Sequence, residues 1–158
     1  MSDERASLLA VLNRERSLVR AALDELSEAE ARDAATASDL TCLGIVNHLA
    51  FAERWWFRIV FIGEDVAVPW TTEDPDAEMH PPESDTVAVV LARYADECGR
   101  ADAIVASTAN LDQMSVSPER QRSLRWILLH MIEETAQHAG HLDIIRETVL
   151  ALRTRFSS

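Results

Sequence analysis

A chain of 158 residues, 47% hydrophobic and 27% charged, is long enough for one domain with a sizeable core and has the composition of an ordinary globular protein. Its net charge of −12 repels phosphate backbones and anionic membranes, and its 15 basic residues are dispersed rather than blocked, so neither nucleic acid nor membrane is expected as a partner. Small anionic substrates stay open, because a bound metal cation reverses the field locally.

Glycine and proline are scarce, while alanine, leucine, arginine and glutamate are plentiful, which favours helices over strands. The opening MSDERASLLAVLNRERS mixes both charge signs without an apolar run and does not read as a signal peptide. The two cysteines, Cys42 and Cys98, form no CxxC and are too few for a disulfide scaffold, so a reduced cytoplasmic setting is expected.

Taken in order, the first helix is expected over about Asp3–Ala29, with Leu8, Leu12, Val19, Ala22, Leu23 and Leu26 inward and Ser2 or Asp3 as N-cap. A polar stretch, Glu28–Asp39, leads to a second helix over about Thr41–Phe61. Its inner face is read as Ile45, His48, Leu49, Ala52, Trp56 and Ile59. His48, Glu53, Arg54 and Arg58 interrupt the most apolar segment, Ile45–Ile62, so it is no membrane span. Trp55 and Phe57 are left over on the outer side and suggest a helix-mediated homodimer.

Gly63 is placed to end that helix as a C′ residue. Residues 63–85 then form a long acidic loop with Pro69, Pro75, Pro81 and Pro82, of the kind that carries function. Trp70 in this loop should pack onto something. The third helix is expected over about Ser84–Ser107, with Ser84 as its start signal and Val87, Val90, Leu91, Tyr94, Cys98, Ala101 and Val105 inward. The fourth, Ser123–Arg153, has Leu124, Ile127, Leu128, Met131, Ile132, Leu142, Ile145 and Val149 at spacings of three and four. Four long helices without a strand pattern imply an all-α, four-helix bundle, with residues 1–158 as a single domain. Its topology stays open between up-down-up-down and a crossover.

Set into the apolar face of the last helix are His130, Glu134, His138 and His141. Ionisable groups in a buried stripe need a partner or a metal. Glu134 and His138 are one turn apart and point the same way, and His48 on the second helix would add a third donor. Two nitrogens and one oxygen with an open position is the pattern of a catalytic zinc site. Against this, a lone inward histidine is more often a hydrogen-bonded core residue, and Glu134 could simply pair with an arginine.

The segment NHLAFAERWW at 47–56, together with EETAQHAGHLDIIRE at 133–147, resembles the DinB-like superfamily, which includes mycothiol-dependent maleylpyruvate isomerases, and in particular a branch well represented in actinobacteria. The resemblance covers nearly the whole chain. It implies a four-helix bundle with a divalent metal near one end, held by His48, Glu134 and His138; zinc is the first expectation, with nickel or iron as alternatives. Glu134 stands where many members have histidine; the mycothiol-dependent isomerases resemble this sequence in having glutamate there. His141 is expected beside the site rather than in it, and His130 either orients Glu134 or packs in the core. Asp143, Arg146 and Glu147 are expected to pair and fix the helix. Trp55, Trp56, Trp126 and Trp70 could wall a pocket.

The function implied is a metal-dependent enzyme that transfers a low-molecular-weight thiol, mycothiol or similar, to a small electrophile. The chain lacks the additional C-terminal domain of the isomerases, so transfer is expected rather than isomerisation. One rival is metal-assisted hydrolysis with His141 or His130 as base. Another is a non-enzymatic module that binds metal or a small ligand in a stress response.

Overall fold

The computed structural model describes residues 3–156. Its helices are α1 (Glu4–Ala21), α2 (Glu28–Ala31), α3 (Cys42–Glu53), α4 (Val87–Ser107) and α5 (Leu124–Phe156). A π-helical stretch, Arg54–Phe61, continues α3, and a 3-10 turn lies at Ala77–Met79. No strand occurs among the described residues, only an isolated bridge between Met114 and Ser123. The long helices pack α1 on α5 and α3 on α4, with α3 also touching α5. This is the all-α bundle of four main helices expected from the sequence. No helix among the described residues is long and apolar enough to cross a membrane.

Asp3 caps α1 by accepting the Arg5 N–H at 3.1 Å; Ser2, the other candidate, lies outside the described residues. The helix stops at Ala21, earlier than the expected Ala29. Downstream, Ser27 and Glu30 form a reciprocal capping box, which starts the separate short α2 and outcompetes continuation of α1. Glu25 takes a positive φ of 64° in the turn between them. Arg146 on α5 donates to the Asp24 carbonyl at 2.5 Å and satisfies the chain leaving α1. Thr86, not Ser84, caps α4 by accepting the Val89 N–H at 3.3 Å, so that helix begins three residues later than expected.

Thr41 caps α3 through the Gly44 N–H, and Gly63 follows the π stretch with φ +71°, as expected of a C′ glycine. The π stretch itself was not expected. Its i→i+5 bonding widens each turn and rotates every later side chain away from α-helical register. Phe57, Val60 and Phe61 therefore turn inward and are buried, while Ile59 is only half-buried. Phe57, read from the sequence as an outward aromatic, is fully buried, and Trp55 is half-buried. The homodimer argument from these two exposed rings therefore falls.

Two apolar clusters fill the bundle. One joins Val19, Leu23, Leu43, Leu49, Tyr94, Leu142 and Ile145. The other joins Leu12, Phe57, Phe61, Val105, Leu124 and Ile127. Three of the four long helices carry a buried or half-buried polar residue where they cross from one cluster to the other: Arg16 in α1, Glu53 at the end of α3, and Glu134 and Thr135 in α5. Arg16 and Glu53 have no exposed side-chain surface and meet in a two-pronged pair, Nε to Oε1 and Nη2 to Oε2, both at 2.7 Å. Arg16 also donates to Asp102 at 2.7 Å and to Asn13 at 2.9 Å. A charged layer thus runs through the bundle at the level where α5 carries its ionisable face.

Candidate metal centre

α3 and α5 bring His48, Glu134 and His138 together. Their donor atoms all lie within 4.8 Å of one another and could hold a metal ion. His48 Nε2 is 3.1 Å from Glu134 Oε1, and His138 Nε2 is 3.4 Å from the same oxygen. Donors around a tetrahedral ion with bonds of about 2.0–2.2 Å sit roughly 3.3–3.6 Å apart. The donor set therefore fits a divalent cation of borderline softness.

The electrostatics agree. Hydrogen bonds from His138 and then His48 outweigh burial and hold the Glu134 carboxyl well below the usual carboxylate range. Burial alone would lower the His48 pKa, but hydrogen bonds to Glu134 and Glu78 together raise it. His48 thus favours a positive charge between two carboxylates.

Glu78 was missed in the sequence. It lies in the 3-10 turn of the acidic loop, 8% exposed, with Oε1 at 3.2 Å from His48 Nδ1. Its other oxygen, Oε2, is buried without a hydrogen-bond partner. A carboxylate on the far nitrogen of a metal-binding histidine fixes the ring's orientation and raises its basicity. Nothing in the composition of the loop marks Glu78 among its neighbours Glu73, Asp74, Asp76 and Glu83. The turn is nevertheless strongly held. Asn47 donates to the Glu78 carbonyl at 2.6 Å, its own carbonyl oxygen accepts from Arg93, and Arg93 pairs with Asp85 at 2.7 Å. Gly44 lets the turn approach α3, because a Cβ there would lie 2.3 Å from the Met79 carbonyl oxygen. The NHL element therefore does two jobs: Asn47 anchors the loop that carries Glu78, and His48 faces the centre.

Glu78→Gln keeps the length of the side chain and removes its charge. It should weaken metal binding about 10–100-fold, read by chelator competition. Gly44→Ala, which displaces the same turn without touching the carboxylate, should weaken it in the same direction.

The remaining histidines separate. His141 Nδ1 approaches His138 Nδ1 at 3.5 Å, on the side away from Glu134 and outside the three-donor group. His130 stacks on Trp126, with ring centroids 5.0 Å apart, and meets Trp56 edge-on; its ring contacts are those of packing. His80, in the acidic loop, lines the first of two cavities beside the centre. Of the residues expected to brace the last helix, Arg146 does so through the Ala22 and Asp24 carbonyls, while Asp143 and Glu147 are exposed. Burial pushes the Cys42 thiol up to about 11 and the Cys98 thiol up to about 12, which leaves no reactive protein thiol at either position.

The first cavity, about 560 Å³, has a mixed lining: Ser38, Asp39, Asp76, Gln137 and His138 join His48 and Glu134, with Leu40 and Met79 among them. The second, about 310 Å³, shares His48, Glu78 and Glu134 and is otherwise walled by Phe51, Ala52, Trp55, Trp56, Trp70 and Arg120. Trp70 does pack, as expected, edge-on to Phe51 and Trp55. Of the tryptophans expected to wall a pocket, Trp126 does not line this cavity.

Comparison with known families decides the relationship: the family model described as mycothiol-S-transferase matches residues 7–150. The chain belongs to the mycothiol-S-transferase family. The match spans all of the site residues above, from His48 to His141. A crystal structure of a conserved protein from Enterococcus faecalis superposes with a TM-score of 0.70 at 12% identity, covering 96% of this chain and 99% of the other. At that identity it supports a shared fold and no more. No curated protein matches the sequence.

Proposed function

We propose that this chain is a metal-dependent enzyme that transfers mycothiol, or a thiol like it, to small electrophiles in the cytoplasm. The observation that carries the reading is the convergence of His48, Glu134 and His138 beside two cavities in a chain of this family. A divalent cation in that donor set, zinc before nickel or iron, supplies Lewis acidity that lowers the pKa of a thiol and keeps it nucleophilic at neutral pH.

The chain's own residues supply the rest. Glu78 holds the proton on His48 Nδ1, so that Nε2 faces the centre. Ser38, Asp39, Asp76 and Gln137 offer hydrogen-bonding groups for a hydroxyl-rich thiol in the larger cavity. Among the three donors only Glu134 is anionic, so a bound dication keeps one positive charge within the donor set, inside a chain of net charge −12. That local reversal admits an anionic substrate. With Cys42 and Cys98 buried and their thiols pushed up, the attacking sulfur comes from the cosubstrate. The hydrolase reading is less favoured, because His130 is stacked among rings and His141 faces His138 rather than the shared centre.

The test uses protein purified without a His tag. Stoichiometric divalent metal and metal-dependent consumption of mycothiol with 1-chloro-2,4-dinitrobenzene are expected. Metal-free protein with no loss on His48→Ala, or turnover indifferent to the thiol, would sink the proposal.

A further inference from the structure

The two cavities meet at the wall formed by His48, Glu78 and Glu134 but differ in chemistry. The smaller one is an aromatic box, with Trp70 edge-on to both Phe51 (6.2 Å between centroids) and Trp55 (5.7 Å). Flat apolar molecules gain from such walls, and about 310 Å³ suits one substituted ring.

A single arginine lines this box, Arg120, its guanidinium carbon 5.9 Å from the Trp55 ring. The arginines nearby are committed elsewhere. Arg54 bonds Glu97 and the Ala67 carbonyl, Arg58 bonds Glu97 and Glu64, and Arg93 bonds Asn47 and Asp85. Arg120 is exposed and has no carboxylate partner among the described residues. Its loop is nonetheless held. Ser115 Oγ donates to the Arg120 carbonyl at 2.9 Å, and the Val116 N–H donates to the Phe61 carbonyl at 3.0 Å, which ties the loop to the π-helical stretch. In a chain with so large an acidic excess, a positioned cation left unpaired at the mouth of an aromatic cavity is a binding group for an anion.

The geometry points to the aromatic cavity as the electrophile's site and to Arg120 as the residue that selects electrophiles carrying a carboxylate on a flat, single-ring body. This rests on the transferase reading for its chemistry, though not for its binding. The substrate class is an aromatic carboxylate whose ring carbon bears a leaving group. The thiol sulfur, from the larger cavity, forms a bond to that carbon. The carbon–halogen bond breaks, halide departs with its electron pair, and the thiol proton passes to solvent.

The experiment compares 4-chloro-3,5-dinitrobenzoate with neutral 1-chloro-2,4-dinitrobenzene, using the zinc-loaded full chain and mycothiol. Arg120→Ala should cut the preference for the benzoate, as kcat/KM relative to the neutral compound, by about 10-fold, mostly in KM. Arg120→Lys should restore part of it. An equal loss on both compounds, or none on either, would overturn the inference. A second readout needs no turnover: quenching of tryptophan fluorescence by 3-nitrobenzoate and by nitrobenzene. Wild type should bind the benzoate more tightly than Arg120→Ala does, and the two should differ far less toward nitrobenzene. If wild type consumes neither electrophile, the transferase reading fails while the quenching still decides the cavity. Quenching by the benzoate that is indifferent to Arg120 overturns the inference whatever the turnover.

Discussion

Glu53→Ala should lower the unfolding free energy by about 3–5 kcal/mol, read from the shift in urea midpoint. Arg16 is fully buried, and both prongs of its guanidinium close on Glu53 at 2.7 Å. Burial pushes the Glu53 carboxyl up and the facing guanidinium opposes it. The guanidinium itself stays charged, since burial is outweighed by attraction to Glu53. Removing the carboxylate therefore strands an obligate cation between two apolar clusters, with only Asp102 and Asn13 left to it. The double change Arg16→Met with Glu53→Leu should recover most of the loss, because it removes both desolvation costs together. A loss below about 1 kcal/mol for Glu53→Ala would mean that water reaches this pair.

The second large effect is on metal. His138→Ala removes one donor of three, and His48→Ala another. Each should reduce affinity beyond the about 10–100-fold expected for an outer partner such as Glu78. His141→Ala, whose ring touches His138 from outside, should stay within that outer range. Metal content after dialysis against a chelator ranks these three variants together with Glu78→Gln. A His141 effect equal to that of His138 would place His141 among the ligands instead.

Much of this was legible in the sequence because period and burial coincide there. The apolar stripe of α5 has a 3.6-residue repeat, and two of the four ionisable residues interrupting it, Glu134 and His138, converge with His48. The register of the second helix beyond Glu53 was not legible. Nothing in RWWFRIVF announces i→i+5 bonding, and a change of pitch moved Phe57 from the expected outer face to the core. Arg16 left a trace: it occupies the inward slot between Leu12 and Val19, where a charged residue implies a buried partner, but spacing could not name Glu53. Glu78 left none, because its role depends on where a proline-rich loop folds back onto Gly44 and Asn47. Nor do the two cavities follow from helix patterns, since each is closed partly by loop residues such as Asp76, Trp70 and Arg120.

The most direct measurement is titration of the cobalt-substituted protein with mycothiol, followed by visible absorption. If His48, Glu134 and His138 hold the ion with a position open to a thiol, a sulfur-to-cobalt charge-transfer band should grow to saturation at one thiol per site, and His138→Ala should abolish it. A cobalt spectrum unchanged by saturating thiol, or a band that survives the loss of His138, would contradict the proposed centre.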